Sequence, residues 1–98
     1  MKKFVILHFG YEKPTPEIMK AWGGWFASIA GISVDSGGFR AGREITKQGT
    51  KELAWDRDAI TGYNVIEAED MEAAVRIAQG VPSIARVRVY ELRETGGT

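Results

Sequence analysis

The sequence contains no cysteine. This excludes a disulfide framework, a thiol nucleophile and a zinc–thiolate site. Its one histidine is His8, and no tight carboxylate cluster accompanies it, so neither a metal site nor a cofactor is expected. An excess of either charge is also missing: thirteen basic residues balance thirteen acidic ones, for a formal net charge of zero. Nucleic acid needs a basic field to neutralise its phosphates, so no nucleic-acid partner is expected, and no anionic membrane surface. No apolar run approaches the roughly 20 residues of a membrane span. The stretch Phe4–Phe9 is too short for a signal-peptide core and runs into Gly10-Tyr-Glu-Lys13. The expectation is a cytoplasmic protein. Its 98 residues suffice for one domain with a modest core. That domain spans residues 1–93, and 94–98 (Glu-Thr-Gly-Gly-Thr) read as a frayed tail.

What is present is organised around residues 62–80, a strand running straight into a helix. Tyr63 to Ala68 is rich in β-branched and aromatic residues. Asp70 can cap the following helix, whose apolar stripe is Met71, Ala74, Val75 and Ala78. Gly80 is placed to end it in the left-handed conformation, and Pro82 prevents continuation. Earlier in the chain, Lys3–Phe9 is nearly continuous in apolar residues, as for a central strand covered on both faces. Phe4, Ile6 and His8 share one face; Val5, Leu7 and Phe9 share the other.

A first helix begins at Thr15 as N-cap with Pro16 in its first position. Ile18, Trp22, Trp25 and Ile29 form its stripe, and Gly31 ends it. Gly23-Gly24 inside it costs about 1 kcal/mol per glycine, which suggests either close packing against the backbone there or a helix that is merely weak or kinked at that point. Ile32–Phe39 reads as a strand disturbed at Gly37-Gly38 by a bulge or a close approach. Arg43–Thr46 and Glu52–Trp55 flank a turn and read as a hairpin. Ala85–Leu92 alternates strictly, with Val87 and Val89 on one side.

The fold class is therefore α+β: a ferredoxin-like βαββαβ unit with an antiparallel sheet, an extra hairpin after the second strand, and both helices on one face. The other face carries apolar and aromatic side chains, and pairing two sheets to bury them would give a homodimer.

Lys2–Phe9, Thr15-Pro-Glu17, Val34-Asp-Ser-Gly-Gly38 and Thr61–Ala74 resemble the YCII-related (DGPF) proteins. The resemblance covers most of the chain, is most specific over Gly62–Ala74, and implies a dimeric α/β barrel of ferredoxin-like subunits. Two departures stand out. Asp56-Arg-Asp-Ala-Ile60 occupies the place of the Asp-Gly-Pro-Phe signature. The first turns of helix one, Thr15–Lys20, hold none of the histidine that some members carry there, so a His–Asp activity of that kind does not transfer.

Candidate chemistry centres on His8, either an acid or base whose ordinary pKa lies near 6.5 or a structural histidine tied to a backbone carbonyl or a dimer contact. With the helices on the Val5/Leu7/Phe9 face, it points into the barrel-like interface. Asp35, ahead of the glycine pair, is the candidate to orient it as the carboxylate does in a triad. A pocket between sheet and irregular segment is then lined by Phe4, Ile6, Trp55, Tyr63 and Arg88, and takes a small molecule. Trp22 and Trp25 read as core. Arg43, Arg86 and Arg88 are anion anchors or ion-pair partners. The alternative to a ligand-binding or catalytic module is a non-catalytic interaction module whose sheet face serves to dimerise.

Overall fold

The computed structural model describes residues 1–11, 13–82 and 85–93; the 94–98 tail lies outside them. The elements in order are β1 (Lys2–Phe9), α1 (Pro16–Ser28), β2 (Ser33–Gly38), β3 (Arg43–Thr46), β4 (Gly49–Glu52), β5 (Ile60–Ala68), α2 (Met71–Ala78) and β6 (Arg86–Glu91). Four strands form one antiparallel sheet in the order β2-β5-β1-β6, and β3 pairs with β4 as a separate ribbon. This is the ferredoxin-like order with a hairpin inserted between the second and third sheet strands. The near-continuous apolar strand, β1, is central as expected, paired to β5 on one side and β6 on the other.

Both helices start where their caps dictate. The Thr15 hydroxyl accepts from Ile18 N–H at 3.2 Å and the Asp70 carboxylate from Ala73 N–H at 2.8 Å, each satisfying a first-turn donor that has no partner within the helix. The end of α2 differs from the expectation. Positive φ occurs at Gly10 and Gly49, not at Gly80. Gly80 is instead a close-approach residue, since a Cβ there would lie 3.3 Å from Trp25 Cδ1.

The helices cover the Phe4/Ile6/His8 face of the sheet, not the Val5/Leu7/Phe9 face. Phe4, Ile6 and Ile66 are fully buried, with Trp25, Ile29, Ala68, Ala74 and Ala78 around them. Val87 and Val89 of β6 pack against this core. The two helices meet the sheet differently. α2 presents Ala74 and Ala78, so its backbone settles close; Met71 and Val75, expected on its inner stripe, lie at its exposed flank. α1 stands off: no described Cα of α1 comes within 8 Å of another element. It reaches the core through long side chains, Trp25 and Ile29, with Trp22 half-buried beside them. Trp25 Nε1–H also donates to Ile77 O at 3.2 Å, tying α1 to the last turn of α2.

The stand-off removes the reason suggested for Gly23-Gly24. A Cβ at either position would meet nothing within 4 Å, so the backbone there is not closely packed. Gly37, by contrast, sits at a close approach: a Cβ there would lie 2.6 Å from Tyr63 Cε1, so the Tyr63 ring would have to shift. The bulge in β2 comes earlier, between Ser33 and Asp35.

Two variants test this packing in denaturant unfolding. Trp25→Ala should cost about 3–5 kcal/mol, the usual loss for a buried large aromatic. Gly24→Ala should stabilise by about 0.5–1 kcal/mol, because it improves helix propensity in open space. A destabilised Gly24→Ala would contradict the stand-off.

Candidate functional site

Where α1 lifts away from the sheet it leaves a cleft of about 900 Å³. One wall is α1, with Ile18, Met19, Trp22, Gly23 and Phe26; the other is the β2–β5 side of the sheet, from Ser36–Arg40 and Thr61–Asn64. Tyr11, Pro14 and Trp55 close one end, and Tyr11 and Trp55 touch at 5.8 Å between ring centroids. Besides His8 the lining includes the aromatics Tyr11, Trp22, Phe26, Phe39, Trp55 and Tyr63, and its one charged member among the described residues is Arg40.

At the floor lies a buried polar pair. His8 is 6% exposed and Asn64 2%. They sit on neighbouring central strands, with Ile6 opposite Asn64 and His8 opposite Gly62. His8 Nε2 and Asn64 Oδ1 are 2.6 Å apart. The ladder bulges just beyond His8, so that Phe9 pairs with Ile60 and Thr61 is the extra residue. The Thr61 hydroxyl donates to the His8 carbonyl at 3.3 Å; bulges of this kind re-aim side chains next to sites. The imidazole is wedged against two indoles, with ring centroids 5.1 Å from Trp22 and 5.8 Å from Trp25, both edge to face. Burial in this apolar setting lowers the His8 pKa, against a smaller upward pull from the Asn64 hydrogen bond. The neutral form therefore prevails at neutral pH. His8 Nδ1 and Asn64 Nδ2 are buried and have no hydrogen-bond partner among the described residues. Each such atom costs about 1–3 kcal/mol where nothing meets it.

The residues expected at the site fall into two groups. His8 and Trp55 line this cleft; Tyr63 borders it, but its side chain lies on the other face of the sheet with Val65 and reaches Asp35. Phe4 and Ile6 lie in the sealed core beneath the helices, fully buried, because the covered face is theirs. Asp35 does not orient His8. It pairs with Val65 on the open face of the sheet, where its carboxylate accepts from the Tyr63 hydroxyl at 3.1 Å and from Ser36 N–H at 2.8 Å. That contact raises the Tyr63 pKa. Arg88 is also on the open face, with its guanidinium 4.9 Å from the centroid of the Phe9 ring. Arg43 and Arg86 pair with Glu52 at 3.7 Å and Asp58 at 3.2 Å. The residue missed in the sequence is Asn64. Its signal was an amide on the inward side of a strand whose other inward residues are Gly62, Ile66 and Ala68. Among the described residues no cluster of histidine and carboxylates suits a metal ion, and no helix is long and apolar enough to cross a membrane.

Neither a family model nor a curated protein matches the sequence. Among solved structures the chain is similar to 5-chloro-2-hydroxyhydroquinone dehydrochlorinase from Burkholderia phenoliruptrix, solved with 2,5-dihydroxybenzoquinone. The TM-score is 0.61 at 13% identity, over 97% of each chain. This likeness shows the fold. It supports the ferredoxin-like reading.

The sole histidine makes its titration directly readable by proton NMR. Its ring signal should titrate below 6.5, in the direction that burial imposes. The unfolded chain then binds the proton before the folded one does. Stability is full above about pH 6.5 and falls as pH drops from there toward the folded pKa. His8→Gln should lack this component in a comparison of unfolding midpoints across that range. A His8 signal that titrates above 6.5 would contradict the buried neutral pair.

Proposed function

We propose that the chain is a YCII-like protein that binds or processes a small planar aromatic molecule in the cleft between α1 and the sheet. The carrying observation is the His8–Asn64 pair, buried and incompletely hydrogen-bonded, at the floor of an aromatic-walled cavity of about 900 Å³. Concave, largely apolar sites with a few convergent polar groups are the usual form of small-molecule sites. Trp22, Phe26, Trp55 and Tyr11 supply faces and edges for a flat ring. Neutral His8 is the residue able to take a proton from such a ligand. Asn64 holds its ring in place but adds no charge, so the base is weaker than one backed by a carboxylate. The neighbour's quinone-type ligand agrees with this class. Asp35 and Arg88, on the far side of the sheet, have no part in this chemistry.

A homodimer through the open sheet face is part of the same proposal. Val5, Leu7 and Val65 are only half-buried there and Tyr90 is 49% exposed. Covering that face would bury upwards of about 1,000 Å² in total, as stable pairs require. Analytical ultracentrifugation at micromolar concentration should show a dimer; a monomer sinks this half of the proposal. It would leave the cleft untouched.

Gly23→Leu tests the cleft. Leucine is a good helix former, and its side chain would project into the space now open beside Gly23. The variant should fold at least as stably as the parent and lose most of its affinity for aryl fragments that perturb tryptophan emission in the parent. Unchanged affinity in a folded Gly23→Leu protein would place the binding elsewhere.

A further inference from the structure

On the sheet wall of the cleft two glycines stand directly across from each other: Gly38, the last residue of β2, and Gly62 of β5. Both belong to the helix side of the sheet. Gly62 lies two residues before Asn64, which meets His8 on that side. Gly38 lies between two residues turned to the open face. A Cβ at Gly37 would meet the Tyr63 ring, and Phe39 stacks on that ring with centroids 5.7 Å apart. Alternation along the strand turns Gly38 the other way. The result is a patch of bare backbone two strands wide. His8 borders it on β1, opposite Gly62; Asn64 and Ser36 border it at the neighbouring position on the same face.

The two glycines have different causes. A Cβ at Gly62 would lie 2.8 Å from Gly37 O, so the adjacent strand excludes a side chain there. Nothing comparable holds at Gly38. Its φ is not positive. The one atom within 4 Å of a Cβ there, among the described residues, is Thr61 O at 4.0 Å. The bulge in β2 lies at its other end, between Ser33 and Asp35. A glycine in a strand weakens it, and with these local reasons absent the remaining use is to let a ligand come close to the backbone.

We propose that Gly38 is a specificity-determining residue of the cleft: an aromatic ligand lies face-down on the Gly38–Gly62 backbone, and the missing side chain at position 38 sets how large a ring system that floor can hold. The proposal rests on the cleft reading above and adds the ligand's orientation and size. A flat ring buries most of its area when its whole face meets a surface, and on this patch no side chain holds it off the peptides. Trp22 and Phe26, one turn apart on α1, line the opposite wall, with rings 33° from parallel. A side chain at 38 would rise from the floor and leave bare backbone over Gly62 alone. Two fused rings are then excluded before a single ring is.

Calorimetry with 2-naphthol and phenol tests it, on the parent chain, on Gly38→Val and on Gly23→Leu. Valine favours a strand, so Gly38→Val should keep the parent's unfolding midpoint or exceed it. The parent should bind 2-naphthol more tightly than phenol. Gly38→Val should lose about tenfold or more of its 2-naphthol affinity, the loss that bulk forced into an occupied space brings. It should lose less for phenol, so that the preference shrinks. Proton NMR of the parent gives a readout independent of any variant's folding. Protons beneath the face of an aromatic ring are shielded, so the Gly38 Hα signals should move upfield when 2-naphthol binds. Full 2-naphthol affinity in a folded Gly38→Val protein, with Gly23→Leu still blocking, overturns the assignment and leaves the cleft reading standing. A downfield shift or no shift at Gly38 in the bound parent does the same. Full affinity in both variants, or no binding of either compound by the parent, overturns the cleft reading itself, and this proposal with it.

Discussion

The imidazole of His8 in edge-to-face contact with two indoles is the contact on which the rest depends. Trp22 and Trp25 are the means by which α1 reaches the sheet, and an aromatic ring is a long spacer. α2 uses alanines and lies close; α1 uses tryptophans and is held a ring's length away. The same contact therefore anchors the helix, opens the cleft and keeps the imidazole dry. Shorter side chains at 22 and 25 would let the helix settle and close the space. The two glycines in α1 fit this picture, since they add no bulk on a helix that already stands clear of its neighbours.

Element identity was legible in the sequence because each element carries its own local cause. Thr15 and Asp70 cap, Pro16 starts a helix, and the apolar run of β1 marks a central strand. The face that the helices cover was not legible. Val5, Leu7 and Phe9 are as apolar as Phe4, Ile6 and His8, and hydropathy alone favours putting the histidine outside. The choice is settled by pairing across the sheet: Ile66 of β5 lies opposite Phe4, and Val89 and Val87 of β6 lie opposite Ile6 and His8. That is long-range information which no local window contains.

The candidate site was half legible for a related reason. His8 and Trp55 could be named because their side chains are chemically distinctive, and both line the cleft. Asp35 was misplaced by a single residue of register. Ser33 pairs with Ile66 and Asp35 with Val65, so β2 uses two residues where β5 uses one. Without that irregularity Asp35 would stand opposite Asn64, on the helix side. The extra residue turns its carboxylate to the other face, to Tyr63, and Asn64 becomes the partner of the imidazole. A carboxylate in that position would have made a charged couple; the amide leaves a neutral one.

The β3–β4 hairpin has a different kind of consequence. All eight of its residues are exposed, and its ion pairs, Arg43–Glu52 and Glu44–Lys51, run between its own two strands. Its only close backbone packing among the described elements is within itself, and a lone two-stranded ribbon is marginal in water. The ribbon and the core are thus two nearly independent equilibria in one small chain. Amides of Arg43–Glu52 can exchange with solvent through opening of the ribbon alone, without waiting for the domain to unfold. The Lys47-Gln48 tip, exposed and remote from the cleft, is accordingly the place where the chain can be lengthened, nicked or labelled at little cost to the rest.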